Sequence, residues 1–121
     1  MKKFFALYQM PMSLIETWRN TTSADQRKAA EQEMMQAWMK WMKDNEKSIV
    51  DPGGPLGKTK RITGAGVADT RNDLTGYTIV QAESHEDAVK IFNGHPHLRL
   101  PQTTVDLMEL VAIPGMSEGR T

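Results

Sequence analysis

Two of the three histidines of this 121-residue chain flank a proline, as His95-Pro96-His97. In extended backbone, residues two apart project to the same side, so the two imidazoles could clip a metal or pass a proton. An unperturbed imidazole titrates at about 6.5, which suits proton transfer near neutral pH. The metal reading lacks a third ligand: His85 falls in the first turn of a capped helix, the carboxylates are scattered, and there is no cysteine. What remains is an acid–base or ligand contact at His95 and His97, or a plain connection between a helix and a strand. Trp38 and Trp41, interleaved with Met34, Met35, Met39 and Met42, could line an adaptable apolar pocket, although such stripes ordinarily face a core. Trp18, beside Arg19, suits a lid over a cavity. Gly57-Lys58-Thr59 matches the end of a phosphate-binding loop, but Pro52 stands where its first glycine belongs and β-formers follow instead of a helix. No cofactor is called for. Lys58, Lys60 and Arg61 read as a solvated strand edge.

The elements that must position these residues follow from periodicity and punctuation. Residues 2–9, KKFFALYQ, predict a strand that stops before Pro11. Ser13…Glu16 and Ser23…Gln26 both have capping-box spacing, predicting a short helix over 13–19 and a long one over about 23–46 with Ala30, Met34, Ala37, Trp38 and Trp41 along one stripe. Two prolines and three glycines in Asp51–Gly57 predict an irregular connection or flap. Residues 59–67 and 77–83 read as a long hairpin, Ser84…Asp87 opens a helix that stops at Asn93-Gly94, and 103–113 reads as the last strand. The order β-α-β-β-α-β is the split βαβ, ferredoxin-like α+β arrangement: a four-stranded antiparallel sheet with helices on one face. Strands one and four carry apolar residues on both faces. A second copy of the sheet is expected to cover the bare face, giving a homodimer with a cleft between sheets.

Composition narrows the function classes. Fifteen basic and fifteen acidic residues give a formal net charge of zero, so no field favours nucleic acid or an anionic membrane. Without cysteine there are no disulfides and no thiolate chemistry, which suits a reducing cytoplasm. MKKFFALYQM starts like a signal peptide, but its apolar run is short and no small-residue cleavage site precedes Pro11. No stretch approaches the roughly 20 apolar residues of a membrane span. The length suits a single domain over 1–113, followed by a tail at 114–121.

Several landmarks occur in succession: the aromatic first strand, the paired tryptophans, "GGPLG", "LTGYTIVQAES", "EDAVKIFNGHPHL" and "TVDLMELV". Together, over about residues 2–113, they resemble the YCII-related (YCII-like, DGPF-type) domain family. The resemblance implies a dimeric α+β barrel of bacterial origin, with some members proposed as small-molecule enzymes that use a His–Asp pair. This chain departs from that pattern in having no histidine in 23–46, and His95 where an aspartate often precedes the proline. The expected site is therefore a cleft in which His95 and His97 approach Tyr8, Gln9 and Trp41, with Trp18 over it. Three functions fit: a small-molecule enzyme moving a proton (lyase, isomerase or dehydrohalogenase-like), a non-catalytic dimeric module for a small apolar or aromatic ligand or a partner protein, and a cofactor-free monooxygenase.

Overall fold

In the computed structural model, residues 1–115 are described. Six strands and three helices run in the order β1 (Lys2–Gln9), α1 (Met12–Thr21), α2 (Ala24–Asp44), β2 (Ile49–Pro55), β3 (Thr59–Thr63), β4 (Gly66–Thr70), β5 (Leu74–Ala82), α3 (His85–Ile91) and β6 (Thr104–Glu109), with a 3-10 turn at Pro96–Arg99 before β6. β2, β5, β1 and β6 lie side by side in that order, every neighbouring pair antiparallel. This is the expected ferredoxin-like α+β sheet. The expected tail falls partly at 116–121, outside the described residues.

Strict alternation explains the core. Phe4, Ala6 and Tyr8 of β1 and Gly76, Thr78, Val80 and Ala82 of β5 are buried on one face, under Trp41, Ala88 and Phe92 from the helical layer. Val105 and Leu107 of β6 pack against the same cluster. Phe5, Leu7, Tyr77, Ile79 and Met108 point the other way, where no helix or strand among the described residues covers them; Phe5 stacks on Tyr77 at 5.4 Å.

Three local expectations are corrected. The Gly/Pro segment is regular after all: Ile49–Pro55 is the edge strand β2, and it, not residues 59–67, pairs with β5. Its register shifts between Ile49 and Asp51 and again between Asp51 and Gly54. An irregular edge strand tolerates a proline that a central one would not. Gly53 sits at φ +68°, with its N–H donating to Asp51 Oδ1 at 2.8 Å, and Asp51 Oδ2 accepts from the Tyr77 hydroxyl at 3.0 Å. Residues 59–70 instead form a separate two-stranded arm, β3–β4, on which Ile62 and Val67 face each other and both are exposed. Finally, Ser13 caps nothing: α1 starts at Met12 behind Pro11, and Glu16 pairs with Arg71 at 2.9 Å. The box at Ser23 and Gln26 forms as expected, and Ser84 accepts from the Asp87 amide.

Candidate functional site

His95 occupies the middle of the buried aromatic cluster and is fully buried. It lies 4.4 Å from the rings of both Trp38 and Trp41, each roughly edge-on, 5.0 Å from Tyr8 and 5.8 Å from Phe92. Local chain logic places it there. After α3 the chain turns at Gly94, with φ +74°, and Pro96 begins a 3-10 turn whose N-cap is His95. The cap folds the imidazole back over its own turn, toward α2.

Hydrogen bonding then fixes the protonation of the cluster. The backbone N–H of His97 donates to His95 Nδ1 at 3.0 Å, and an amide can only donate. Nδ1 therefore carries the lone pair and Nε2 the proton. Nε2–H points at the Tyr8 hydroxyl, 3.3 Å away. Tyr8 in turn donates to Thr78 Oγ1 at 2.8 Å, and Thr78 donates to the Pro52 carbonyl at 3.2 Å. The chain of donors runs one way, from the 3-10 turn across β1 and β5 to the edge strand. Burial pushes His95 down to about 3, with the charges of His97 and Arg99 adding to the effect. Burial likewise pushes the Tyr8 phenol up to about 12, against the opposing hydrogen bond to Thr78. Both groups are neutral across the physiological range.

His97 is anchored differently. Its Nε2 lies 3.0 Å from the Gln9 carbonyl and 3.2 Å from that of Thr104, so Nε2–H is shared between β1 and the start of β6. Burial lowers its pKa, with the two carbonyls pulling the other way. Nδ1 of His97 makes no hydrogen bond among the described residues. Since no buried polar side-chain atom there lacks a partner, that nitrogen is within reach of solvent.

Tyr8, Gln9 and Trp41 thus surround the two histidines, but all of this lies beneath the helices and not on the bare face of the sheet, where a cleft between sheets would be. Gln9 contributes its carbonyl, while its side chain turns to Asp106. His85 stands apart; its Nε2 is 2.9 Å from the Leu107 carbonyl and its ring leans on Phe4. Trp18 is not part of this cluster. It lines a separate cavity of about 420 Å³ between α1, the first half of α2 and the loop after the 3-10 turn. Met10, Leu14, Ile15, Met34 and Leu100 form most of its wall, and among the described residues Glu31 is the only charged one on it. Sequence reasoning placed Trp18 over the cleft of the two histidines and not over this cavity, and missed Met10, Leu14 and Leu100. Leu14 carried a signal in the apolar spacing of α1, whereas Met10 and Leu100 lie outside any helix and carried none.

Among the described residues no group of three His, Asp or Glu side chains could hold a metal ion, and no helix is long and apolar enough to cross a membrane. The order of strands and helices defines a split βαβ domain with its polar network sealed under the helices. More particularly, the YCII-related domain model matches residues 4–111, and the chain belongs to that family. No curated protein matches the chain as a relative.

Proposed function

We propose that this protein binds a small apolar ligand in the cavity between α1 and α2. The observation that carries this reading is the cavity itself: about 420 Å³, walled almost wholly by aliphatic, methionine and tryptophan side chains. That volume falls within the range of roughly 300–1,000 Å³ common for small-molecule sites. Unbranched Met10 and Met34 let the wall adapt to different shapes.

α1 is built to move over it. None of its ten residues is buried, and polar contacts tie it down. Met12 N–H donates to Asp73 at 3.0 Å, Glu16 pairs with Arg71, and Arg27 of α2 donates to the carbonyls of Arg19 and Thr22 at 2.9 and 2.7 Å. Such an element opens at little cost, because few apolar contacts break.

Decanol is a suitable first probe. Addition of the alcohol should shift the methyl resonances of Met10 and Met34 and quench or enhance Trp18 fluorescence saturably. Met34→Trp, which fills the cavity, should abolish the response. A saturating probe that leaves the Met34 methyl unmoved would sink the reading.

The bare sheet face supports a second copy as the macromolecular partner, since Phe5, Leu7, Tyr77, Ile79 and Met108 give a self-complementary apolar patch. Sedimentation at micromolar concentration should return twice the 13.6 kDa of one chain. A monomer at that concentration refutes the dimer without touching the cavity.

One observation favours a second reading, a proton-transfer enzyme. His97 Nδ1 is the only nitrogen of the two imidazoles left unbonded among the described residues, and a lowered pKa leaves it unprotonated. If it serves as a base, His97→Gln must abolish turnover of any substrate found while preserving decanol binding.

A further inference from the structure

Nine of the ten residues on the cavity wall are uncharged, and the tenth, Glu31, is an acid without a partner. It makes no ion pair and no hydrogen bond among the described residues. The natural candidate to neutralise it is Arg27, one helical turn earlier, where an i,i+4 pair would form. Arg27 is committed elsewhere, its Nη1 donating to two carbonyls at the C-terminal end of α1. Lys28 stands three residues before Glu31 and makes no ion pair either among the described residues. The cavity thus joins a greasy wall to a single negative charge at its exposed rim, with the indole of Trp18 on the same wall.

We infer that the cavity takes a hydrophobic amine, its chain or ring against Met10, Leu14 and Met34 and its ammonium group at Glu31. This deepens the ligand-binding reading above and rests on it. A cation is favoured by the carboxylate of Glu31. An anion of the same length would meet the like charge of Glu31, which no ion pair offsets among the described residues. A volume of about 420 Å³ accommodates roughly ten to fifteen non-hydrogen atoms, counting about 30 Å³ for each water-sized unit.

Three probes of one chain length separate the possibilities: decylamine, decanol and decanoate, titrated below their critical micelle concentrations into the full chain and read by calorimetry and by the Met34 methyl resonance. The expected order of affinity is amine, then alcohol, then carboxylate, each step about 1.4- to fivefold, as for exposed charge interactions. Raising the salt to about 0.5 M should compress the order, since the rim is open to screening. Glu31→Gln should bring the three affinities together, and Met34→Trp should remove all three. If none of the probes binds, the cavity reading and this inference fall together. If decanol binds but the amine shows no preference, or if the preference survives Glu31→Gln, the inference is overturned and the cavity reading stands.

Discussion

Two successive lengths of one helical stripe on α2 have opposite surroundings. Trp38 and Trp41 lie over Tyr8, Phe92 and His95, and the Trp41 indole N–H donates to the Ile91 carbonyl at 3.0 Å, tying α2 to the end of α3. One or two turns earlier, Ala30 and Met34 face a cavity. The aromatic half contains every ingredient usually associated with chemistry: two imidazoles, a tyrosine, a threonine and shifted pKa values. Yet each donor in the His95–Tyr8–Thr78 chain has an acceptor, and His95 has no exposed surface. A complete, sealed network specifies the core. The other half has almost no polar group and is unfinished, which is the condition for binding something else. On the reading proposed above, perturbed titration points to one end of α2 and the unfilled apolar surface to the other.

The largest expected effect tests that division directly. His95→Ala should cost about 3–5 kcal/mol in urea unfolding, because it opens a void among four aromatic rings and strands the His97 amide. Trp18→Ala, a larger truncation, should cost under about 1.5 kcal/mol, since its ring lines a space that is already empty. Equal costs would erase the distinction between the two regions.

Next comes the far end of the donor chain. Gly53→Ala places a methyl group against the Tyr77 carbonyl at a backbone angle that side chains rarely adopt. A loss of about 2–4 kcal/mol is expected, since neither the backbone angle nor the close approach suits alanine. Exchange protection should fall first in β2 and its partner β5. Uniform loss of protection across the molecule would mean that the edge strand does not unfold as a separate unit.

Acid should act on the aromatic region and spare the cavity. His95 is held near 3 in the fold, whereas an unfolded histidine titrates at about 6.5. The unfolded chain thus binds a proton over that window and the native chain does not. The stability associated with His95 is complete above about 6.5 and is lost as pH falls toward 3, with a limiting slope of about 1.4 kcal/mol per unit. His97, also lowered, adds in the same direction. In an NMR titration the His95 ring should keep the Nε2–H tautomer with no change from pH 8 to 5. A midpoint for His95 above about 5.5 would show that the site admits water.

Much of this was legible in the residues. Strict alternation in FFALYQ and GYTIVQA fixes which face each strand buries, and the capping box at Ser23 starts α2 where the spacing places it. The stripe from Met34 to Trp41 was legible for the same reason. β2 was not, because Pro52, Gly53 and Gly54 argue against a strand on local grounds and only pairing with β5 overrides them. The cavity was only partly legible. Trp18 was singled out as a lid, but over the cleft of the two histidines, and the cavity wall joins α1 to Leu100, contributions about eighty residues apart that no periodicity connects. The tautomer of His95 was hidden too, since the acceptor role of Nδ1 depends on a 3-10 turn that folds a backbone amide onto its own cap.

The smallest effect concerns how α1 is held. The Arg71–Glu16 pair joins α1 to the loop before β5, and both side chains are largely exposed, so solvent screens the interaction. Such a pair contributes about 0.2–1 kcal/mol. Because no residue of α1 is fully buried, that small amount is a sizeable part of what closes it, whereas the aromatic core is indifferent to it. Arg71→Ala should therefore leave the urea midpoint unchanged within error. Amide exchange confined to Met12–Thr21 should speed up by about 1.4- to 5-fold, the equivalent of that energy when opening and closing are fast relative to exchange. The apparent affinity for decanol should change by no more than the same factor, since α1 must close again over the bound molecule. If exchange accelerates in α2 and β5 as well, α1 is not a separately opening element, and the contrast between a fixed half and a movable half of the helical layer fails.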